Sequence, residues 1–296
     1  MLAVFDKTVA KSPEALQSPH IAGSAFALKD GSLASHFSSM HPGSVIINLG
    51  SSGFMSYSSD KQNPLLPSIF LSNHLCLNVT DLDRMIFDDI FCVFEGHIEN
   101  VAHLKQQYGL NKTANEVIIV IEAYRTLRDR GPYPADQVVR DILGKFAFIL
   151  YDGSSKTTFI AADADGSVPF FWGTDSEGHL VLSDDGEVVK QGCGKSFAPF
   201  PKDGNSMRNN QAQALFYLLY PSVAQDCWGY GIGRCIFTSS GGLRSYEHPI
   251  NELKAVPRVD SSGEVCGATF KVDSESKKGK TGMPRVGSDA NWSQHI

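Results

Sequence analysis

The sequence has no closely spaced pair of cysteines. Its six cysteines include no C-x-x-C pair and stand at Cys76, Cys92, Cys193, Cys227, Cys235 and Cys266. Structural zinc sites and the disulfide frameworks of small secreted domains depend on short, regular cysteine spacings. We therefore expect no metal site and reduced thiols, which favours a cytoplasmic location and leaves access to the nucleus open.

Long hydrophobic runs and an excess of positive charge are also absent. No apolar run approaches the roughly 20 residues that cross a bilayer. At the start of the chain, Asp6 and Lys7 follow the apolar residues too early for the core of a signal peptide. The formal net charge of −6 gives no general attraction to phosphate backbones. These absences predict a protein that neither inserts into membranes nor binds nucleic acid.

Two loops resemble ligand-binding motifs but lack essential parts of them. The glycine-rich residues 229–233 (GYGIG) have neither the Lys-Ser/Thr of a P-loop nor the strand-to-helix setting of a dinucleotide site. Residues 163–166 (DADG) lack the third acidic ligand and the closing glutamate of a calcium loop. We expect no cofactor, and a hairpin instead of a calcium site at Asp163.

The residues that are present indicate an α+β domain. Hydrophobic residues make up 42% of the 296 residues, enough for a core of ordinary size. Runs rich in β-branched and aromatic residues predict strands at residues 44–49, 90–94, 146–151, 157–162 and 168–172. Helical patterns cover residues 98–108, 114–130 and 135–143. Because regular β-α alternation is missing, layered sheets are favoured over a doubly wound parallel sheet.

Composition divides the chain into one domain with two less regular stretches. Residues 1–270 are predicted to form the domain, interrupted by an insertion at residues 203–234 that is first polar, then aromatic, then glycine-rich. Residues 271–296 have few large apolar side chains and are predicted to be a disordered tail.

The stretch FCVFEGHIEN (residues 91–100) predicts a strand that turns at Glu95-Gly96 into the helix at residues 98–108. Such a turn can present a side chain and a backbone N–H side by side, as an oxyanion site requires. On its own, the pair is better explained as a tight turn of no chemical role.

Four stretches, in order, resemble the class II glutamine amidotransferase domain at the front of asparagine synthetases. They are FEGHIEN (94–100), NEVI (115–118), GKFAFILYD (144–152) and DADGSVPFF (163–171). Within that superfamily, Tyr108-Gly109-Leu110 and residues 127–130 (LRDR) match the motifs that name the plant aluminium-induced proteins with YGL and LRDR motifs. The sequence is identified as a member of that group.

The resemblance implies an N-terminal-nucleophile (Ntn) hydrolase fold, a four-layer αββα sandwich of two antiparallel sheets with outer helices. In that family a cysteine at position 2 attacks the glutamine amide, but this chain has Leu2, which carries no nucleophilic atom. Glu95 stands where the family has an oxyanion-hole asparagine, and a carboxylate there repels developing negative charge. His97 and Ala114 replace a glutamate and an aspartate that bind substrate.

These replacements predict a catalytically inactive protein that binds an unknown small metabolite near Glu95, Gly96 and His97, or a protein partner, in a plant stress (aluminium) or hormone response. Homo-oligomerisation is left open. The alternative is an active amidotransferase or amidohydrolase with a relocated nucleophile, for which Cys76 and Cys92 are the candidate thiols; Cys92 is predicted to be buried in a strand. Arg128 and Arg130 have two interpretations, as a bracket for the acidic group of a partner or as cations in the last turn of a helix, and the second is favoured.

Overall fold

The computed structural model describes residues 1–18, 30–58, 68–71, 90–129, 139–163, 166–201, 235–245, 252–259 and 263–272. The strands are β1 (Leu2–Phe5), β2 (Val45–Asn48), β3 (Gly53–Tyr57), β4 (Ser68–Leu71), β5 (Ile90–Ile98), β6 (Gly144–Asp152), β7 (Thr157–Ala162), β8 (Phe171–Thr174), β9 (Leu180–Ser183), β10 (Phe197–Pro199), β11 (Cys235–Thr238), β12 (Gly242–Ser245), β13 (Leu253–Val259) and β14 (Val265–Val272). The α-helices are α1 (Asp30–Met40), α2 (Val101–Gln107), α3 (Glu116–Asp129) and α4 (Gly186–Cys193), with short 3-10 turns at Glu14–Leu16 and Gly50–Ser52.

The strands form two six-stranded sheets and one hairpin. The first sheet has the order β10-β8-β9-β1-β3-β2, and the second has the order β12-β11-β7-β6-β5-β4. Every neighbouring pair in both sheets is antiparallel. The hairpin of β13 and β14 packs beside β10, where the Arg258 guanidinium donates to the Phe197 carbonyl oxygen at 2.7 Å.

Alternation along β1 divides its side chains between two cores, because successive side chains of a strand point to opposite faces. Met1, Ala3 and Phe5 are buried in the core between the two sheets. Leu2 and Val4 are buried on the other face of the first sheet, in a separate cluster with α1 and α4. The first sheet is therefore covered on both faces.

The second sheet is covered in the same way. Its inner face contributes Val93, Ile149 and Ile160 to the core between the sheets. Its outer face, including Phe94 and Phe148, packs against α2 and α3. Helix, sheet, sheet and helix thus follow one another, and the predicted α+β, four-layer αββα sandwich is confirmed. Among the described helices, none combines the length and apolar character needed to cross a membrane.

The predicted turn at Glu95-Gly96 is wrong. Strand β5 continues through both residues to Ile98, pairing Glu95 with Ala147 and Gly96 with Phe146, and α2 begins only at Val101. Gly96 has a φ of +112°, and a Cβ there would lie 2.1 Å from the Lys145 carbonyl oxygen, so the glycine permits close strand contact instead of a turn.

The other predicted strands and helices agree with the structure in part. Strands at 44–49, 146–151 and 157–162 and the helix at 114–130 are confirmed within a few residues, whereas α1, α4 and β1 were not predicted. Most of the predicted helix at 135–143 lies outside the described residues, with 139 and 140 helical. The insertion at 203–234 and nearly all of the tail at 271–296 also lie outside them and stay predictions.

The YGL stretch ends helix α2. The N–H groups of Gly109 and Leu110 donate back to the carbonyl oxygens of Gln106 and Lys105 at 3.3 and 2.8 Å. Gly109 has the left-handed φ of +66° that such a helix end requires. Tyr108 and Leu110 pack against the cluster beneath α2. The stretch therefore fixes where the helix stops and how it packs.

The LRDR stretch anchors helix α3 to the second sheet. The Arg128 guanidinium donates to Asp152 Oδ2 at 3.1 Å and to Asp129 Oδ1 at 2.9 Å. The Asp152 side chain is fully buried at the end of β6, and its other oxygen accepts from Ser154. Arg128 therefore has an internal role, which favours the structural interpretation; Arg130 lies outside the described residues.

The buried Asp152 carboxylate is held in its charged form. Burial raises its pKa most strongly, but the hydrogen bonds from Ser154, Arg128 and Ser155 together outweigh burial and lower the pKa from 3.8 to about 2. The Tyr124 hydroxyl adds a further contact to Asp152 Oδ2 at 3.1 Å. The ionised carboxylate is thus a stable part of the junction between α3, β6 and β7.

We predict that Arg128→Ala lowers the free energy of unfolding by about 2–3 kcal/mol, because it leaves a buried carboxylate without its cation. Urea unfolding measures the change. The control is Lys190→Ala, which removes an exposed pair with Glu187 at 3.7 Å and should cost less than about 1 kcal/mol. Equal losses for the two variants would contradict the anchoring role.

Stability should also depend on pH through Asp152. Since the folded state lowers the pKa of this group, its stabilisation is complete above the unfolded pKa and is lost as pH falls toward about 2. Wild type should therefore lose about 2 kcal/mol more than Asp152→Asn, which cannot titrate, between about pH 5 and pH 2. Urea unfolding at a series of pH values tests this, and parallel curves would refute it.

Candidate functional site

Glu95 and His97 lie at one end of the space between the two sheets. Along β5, Phe91 and Val93 point into the core between the sheets, and alternation places Glu95 and His97 on the same face. The cross-strand neighbour of Glu95 is Ala147, which also belongs to this core. The two predicted site residues therefore face the first sheet, where the core gives way to polar groups.

The start of β1 lies at the same end. The Met1 amino group donates to Asp184 Oδ1 at 2.8 Å, and both groups are buried. The Ser183 hydroxyl donates to the Met1 carbonyl oxygen at 2.7 Å. Leu2 is fully buried, and its side chain packs in the outer cluster, away from the space between the sheets. Position 2 therefore places neither a sulfur atom nor a solvent-accessible side chain at this end of the sandwich.

Tyr57 connects the two sides of the site. Its ring belongs to the core between the sheets, and it is only 6% exposed. Burial raises the pKa of its hydroxyl, and the negative charges of Glu95 and Asp184 raise it further. Within the described part of the chain, this buried hydroxyl has no hydrogen-bond partner. We call Met1, Tyr57, Glu95, His97 and Asp184 the mouth.

The start of α3 reaches the mouth from the helical layer. Nδ1 of His97 lies 3.5 Å from Glu116 Oε1, so two of the stretches that resemble amidotransferases do meet in space. Asn115 Oδ1 accepts from the Ile118 N–H and caps the helix. Ala114, at the position where the resemblance implies a substrate-binding aspartate, is 7% exposed and supplies no charge.

Gly96 contributes its backbone to the mouth. As described above, its positive φ and its close contact with Lys145 exclude any larger residue, so it fixes the position of the flanking Glu95 and His97. Its predicted role in ligand binding, like that of its two neighbours, stays a prediction.

The described cysteines offer no exposed thiol. Cys92, Cys193, Cys235 and Cys266 are all buried. Cys92 is 1% exposed on the outer face of the second sheet, and burial raises the pKa of its thiol well above the usual range. A protonated, inaccessible thiol is a poor nucleophile. Cys76 and Cys227 lie outside the described residues.

Asp163 has a structural role. Its Oδ2 accepts from the Phe146 N–H and its Oδ1 from the Ser167 N–H, both at 3.0 Å. Both carboxylate oxygens are therefore used to hold the chain after β7 against β6. The predicted hairpin is wrong, because β7 and β8 lie in different sheets and do not pair. In the described ranges, no three Asp, Glu, His or Cys side chains form a cluster that could hold a metal ion.

Tyr57, Ser183 and Asp184 were not predicted as site residues. They reach the mouth because β3 and β9 both pair with β1, with Leu2 opposite Ser56 and Ser183. The only sequence signal for any of these three residues was the position of Asp184, an acidic residue directly after strand β9. Nothing in the sequence indicates that this run pairs with the first strand.

The two layered antiparallel sheets with helices on their outer faces have the arrangement of an Ntn-hydrolase sandwich. The family model described as "Aluminium induced protein" matches residues 2–212 and 224–272. The chain therefore belongs to the aluminium-induced protein family. The matched residues omit 213–223, which lie within the predicted insertion.

Two curated proteins are similar to the chain. Stem-specific protein TSJT1 of Nicotiana tabacum is 36% identical over 162 residues, which are 54% of this chain and 99% of the relative. Asparagine synthetase B [glutamine-hydrolyzing] of Escherichia coli strain K12 is 27% identical over 109 residues, 36% of this chain and only 18% of the synthetase.

Solved structures give more distant matches. Glutamine phosphoribosylpyrophosphate amidotransferase from B. subtilis, complexed with ADP and GMP, has a TM-score of 0.39 and 12% identity, with 68% of this chain and 36% of the other covered. A structure described as the allosteric regulatory enzyme of purine biosynthesis has a TM-score of 0.32 and 11% identity, with 53% and 28% covered. The chain thus spans about a third of each of these enzymes.

Proposed function

We propose that this protein is a catalytically inactive amidotransferase-like protein that binds a small metabolite at the mouth, as a factor in plant stress (aluminium) or hormone response. The observation that carries the proposal is Leu2. At the position where the resemblance places the attacking cysteine, the side chain is a hydrocarbon, fully buried and directed into the outer cluster. The link to stress rests on the family's description alone.

The other groups of the mouth support loss of catalysis. An oxyanion site needs donors aimed at the developing charge, whereas Glu95 brings a carboxylate there. Removing one donor from such a site costs roughly 3–4 kcal/mol of transition-state stabilisation, but removing the nucleophile removes the covalent pathway itself. The buried Cys92 offers no replacement, because its thiol is both protonated and inaccessible.

The same groups support binding. The Tyr57 hydroxyl is buried without a partner among the described residues, and burying an unpaired hydroxyl is unfavourable unless something else pairs with it. His97 is about half exposed and Glu95 is partly buried, so both remain accessible from the solvent side. A small polar molecule at the mouth could pair with all three side chains.

The first test is a glutaminase assay that detects released ammonia, with a glutamine-hydrolysing amidotransferase run in parallel. We expect turnover at least about a thousandfold below the 1–10³ s⁻¹ typical of enzymes. Enzymatic turnover that disappears in Cys76→Ala or Cys92→Ala would establish the alternative of a relocated nucleophile and refute the proposal.

The second test is a thermal-shift screen against amino acids and nucleotides. A ligand at about 100 times its Kd stabilises by about 2.7 kcal/mol, which predicts a rise in Tm of about 5–10 °C. Glu95→Ala and His97→Ala should each reduce the rise, while Lys190→Ala, exposed on α4, should not. A rise that survives both mouth variants would exclude the mouth as the site, and the absence of any ligand would favour a protein partner.

A further inference from the structure

The first sheet places two polar side chains at the mouth, on the face that points toward the second sheet. The register of β1 with its two neighbours puts Tyr57 and Asp184 on either side of Met1. Tyr57 belongs to the core between the sheets, and Asp184 follows Leu182 of the same core by two residues. Because side chains of a strand alternate, both point into the space between the sheets.

The second sheet brings a carboxylate to the same space. Glu95 follows the core residue Val93 by two positions and pairs with the core residue Ala147, so it is the charged group of β5 nearest the core. Glu95 is partly buried. His97 and its cross-strand partner Lys145 lie two residues further out, and both are exposed. Lys145 is therefore a cation of the rim, where water screens its charge.

The Tyr57 hydroxyl lies where these two faces meet. It is buried and has no hydrogen-bond partner in the described part of the chain. Burial raises its pKa, and the charges of Glu95 and Asp184, one from each side, raise it further. The hydroxyl therefore stays neutral, and the charged groups that act on it are carboxylates. The Met1 ammonium is bound directly to Asp184 at 2.8 Å.

The sign of this charge restricts what can pair with the hydroxyl. A ligand carboxylate placed there would be repelled by the carboxylates of Glu95 and Asp184. A ligand ammonium has three N–H donors and no acceptor, so it can donate both to the hydroxyl oxygen of Tyr57 and to the carboxylate of Glu95. Hydrogen bonds from a charged donor to a carboxylate are the stronger kind.

We propose that the mouth binds a small primary amine, whose ammonium group donates to Tyr57 Oη and to the Glu95 carboxylate while the rest of the molecule extends toward the rim at His97. This inference rests on the binding function proposed above, since it names the class of ligand for the same site. Carboxylates of similar size are excluded from the inner part of the mouth.

The test is isothermal titration of the full chain with three molecules that share a five-carbon skeleton. n-Pentylamine carries an ammonium group at pH 7, pentanamide is neutral, and pentanoate carries a carboxylate. We expect pentylamine to bind at one site at least about tenfold more tightly than pentanamide, and pentanoate to bind more weakly still.

Variants assign the contacts. Glu95→Gln keeps the size of the side chain but removes its charge, and should weaken pentylamine about tenfold. Glu187→Gln is the matched control, because it removes the same charge from the exposed face of α4 and should leave the affinity unchanged. Circular dichroism shows whether each variant is folded.

The hydroxyl is tested by Tyr57→Phe, which should weaken pentylamine by about threefold to tenfold. The same variant should leave the Tm of the ligand-free protein unchanged or higher, since it removes a buried hydroxyl that has no partner among the described residues. A hydroxyl with only a packing role would leave the affinity for pentylamine unchanged.

Two outcomes would overturn this inference alone. One is pentanoate or pentanamide binding at least as tightly as pentylamine, at a site that Glu95→Gln alters. The other is pentylamine binding that neither Glu95→Gln nor Tyr57→Phe weakens, which would place the amine elsewhere.

Absence of binding by all three molecules at millimolar concentrations would also overturn the inference. The thermal-shift screen then decides how far the failure extends. A screened ligand that requires Glu95 and His97 would leave the proposed binding function intact, whereas a screen without any ligand would remove the small-molecule function as well.

Discussion

The burial of β1 on both faces is the constraint on which the rest of the sandwich depends. Met1, Ala3 and Phe5 fill the core between the sheets, while Leu2 and Val4 fill the core beneath α1 and α4. A strand alternates with a period of two, so a shift by one residue would exchange these sets and disrupt both cores. Position 2 is thereby committed to an apolar outer layer, and the mouth is built from its neighbours in space, Asp184 and Tyr57.

Sequence reasoning predicted elements whose signals are local. The runs of β6 and β7 are rich in aromatic and β-branched residues, and Gly109 marks the end of α2, as the structure has them. The Glu95-Gly96 turn was wrong because glycine usually signals a turn, whereas here β6 holds Gly96 in a strand. Helix α4 was missed because it is only 8 residues long and contains Gly186 and Gly192, which weaken a helical pattern.

The mouth was predictable only on its β5 side. Glu95, Gly96 and His97 belong to a stretch that resembles a known motif, and the stretch at the start of α3 meets it through Glu116. Tyr57 and Asp184 come from strands distant in sequence that happen to pair with β1, and pairing between distant strands leaves no local signature. The YGL and LRDR stretches illustrate the opposite case, since they are conspicuous in sequence yet serve to end α2 and to anchor α3.

The groups that hold the frame together are separate from those that form the mouth. Asp152 is satisfied by Arg128, Tyr124 and the turn after β6, and Asp163 by two backbone N–H groups, so these buried carboxylates are stabilised without any contribution from Glu95 or His97. An enzyme that loses its nucleophile therefore need not lose stability when the framework is independent of the reacting atoms. That independence is compatible with the binding role proposed for the mouth, which needs the frame but no nucleophile.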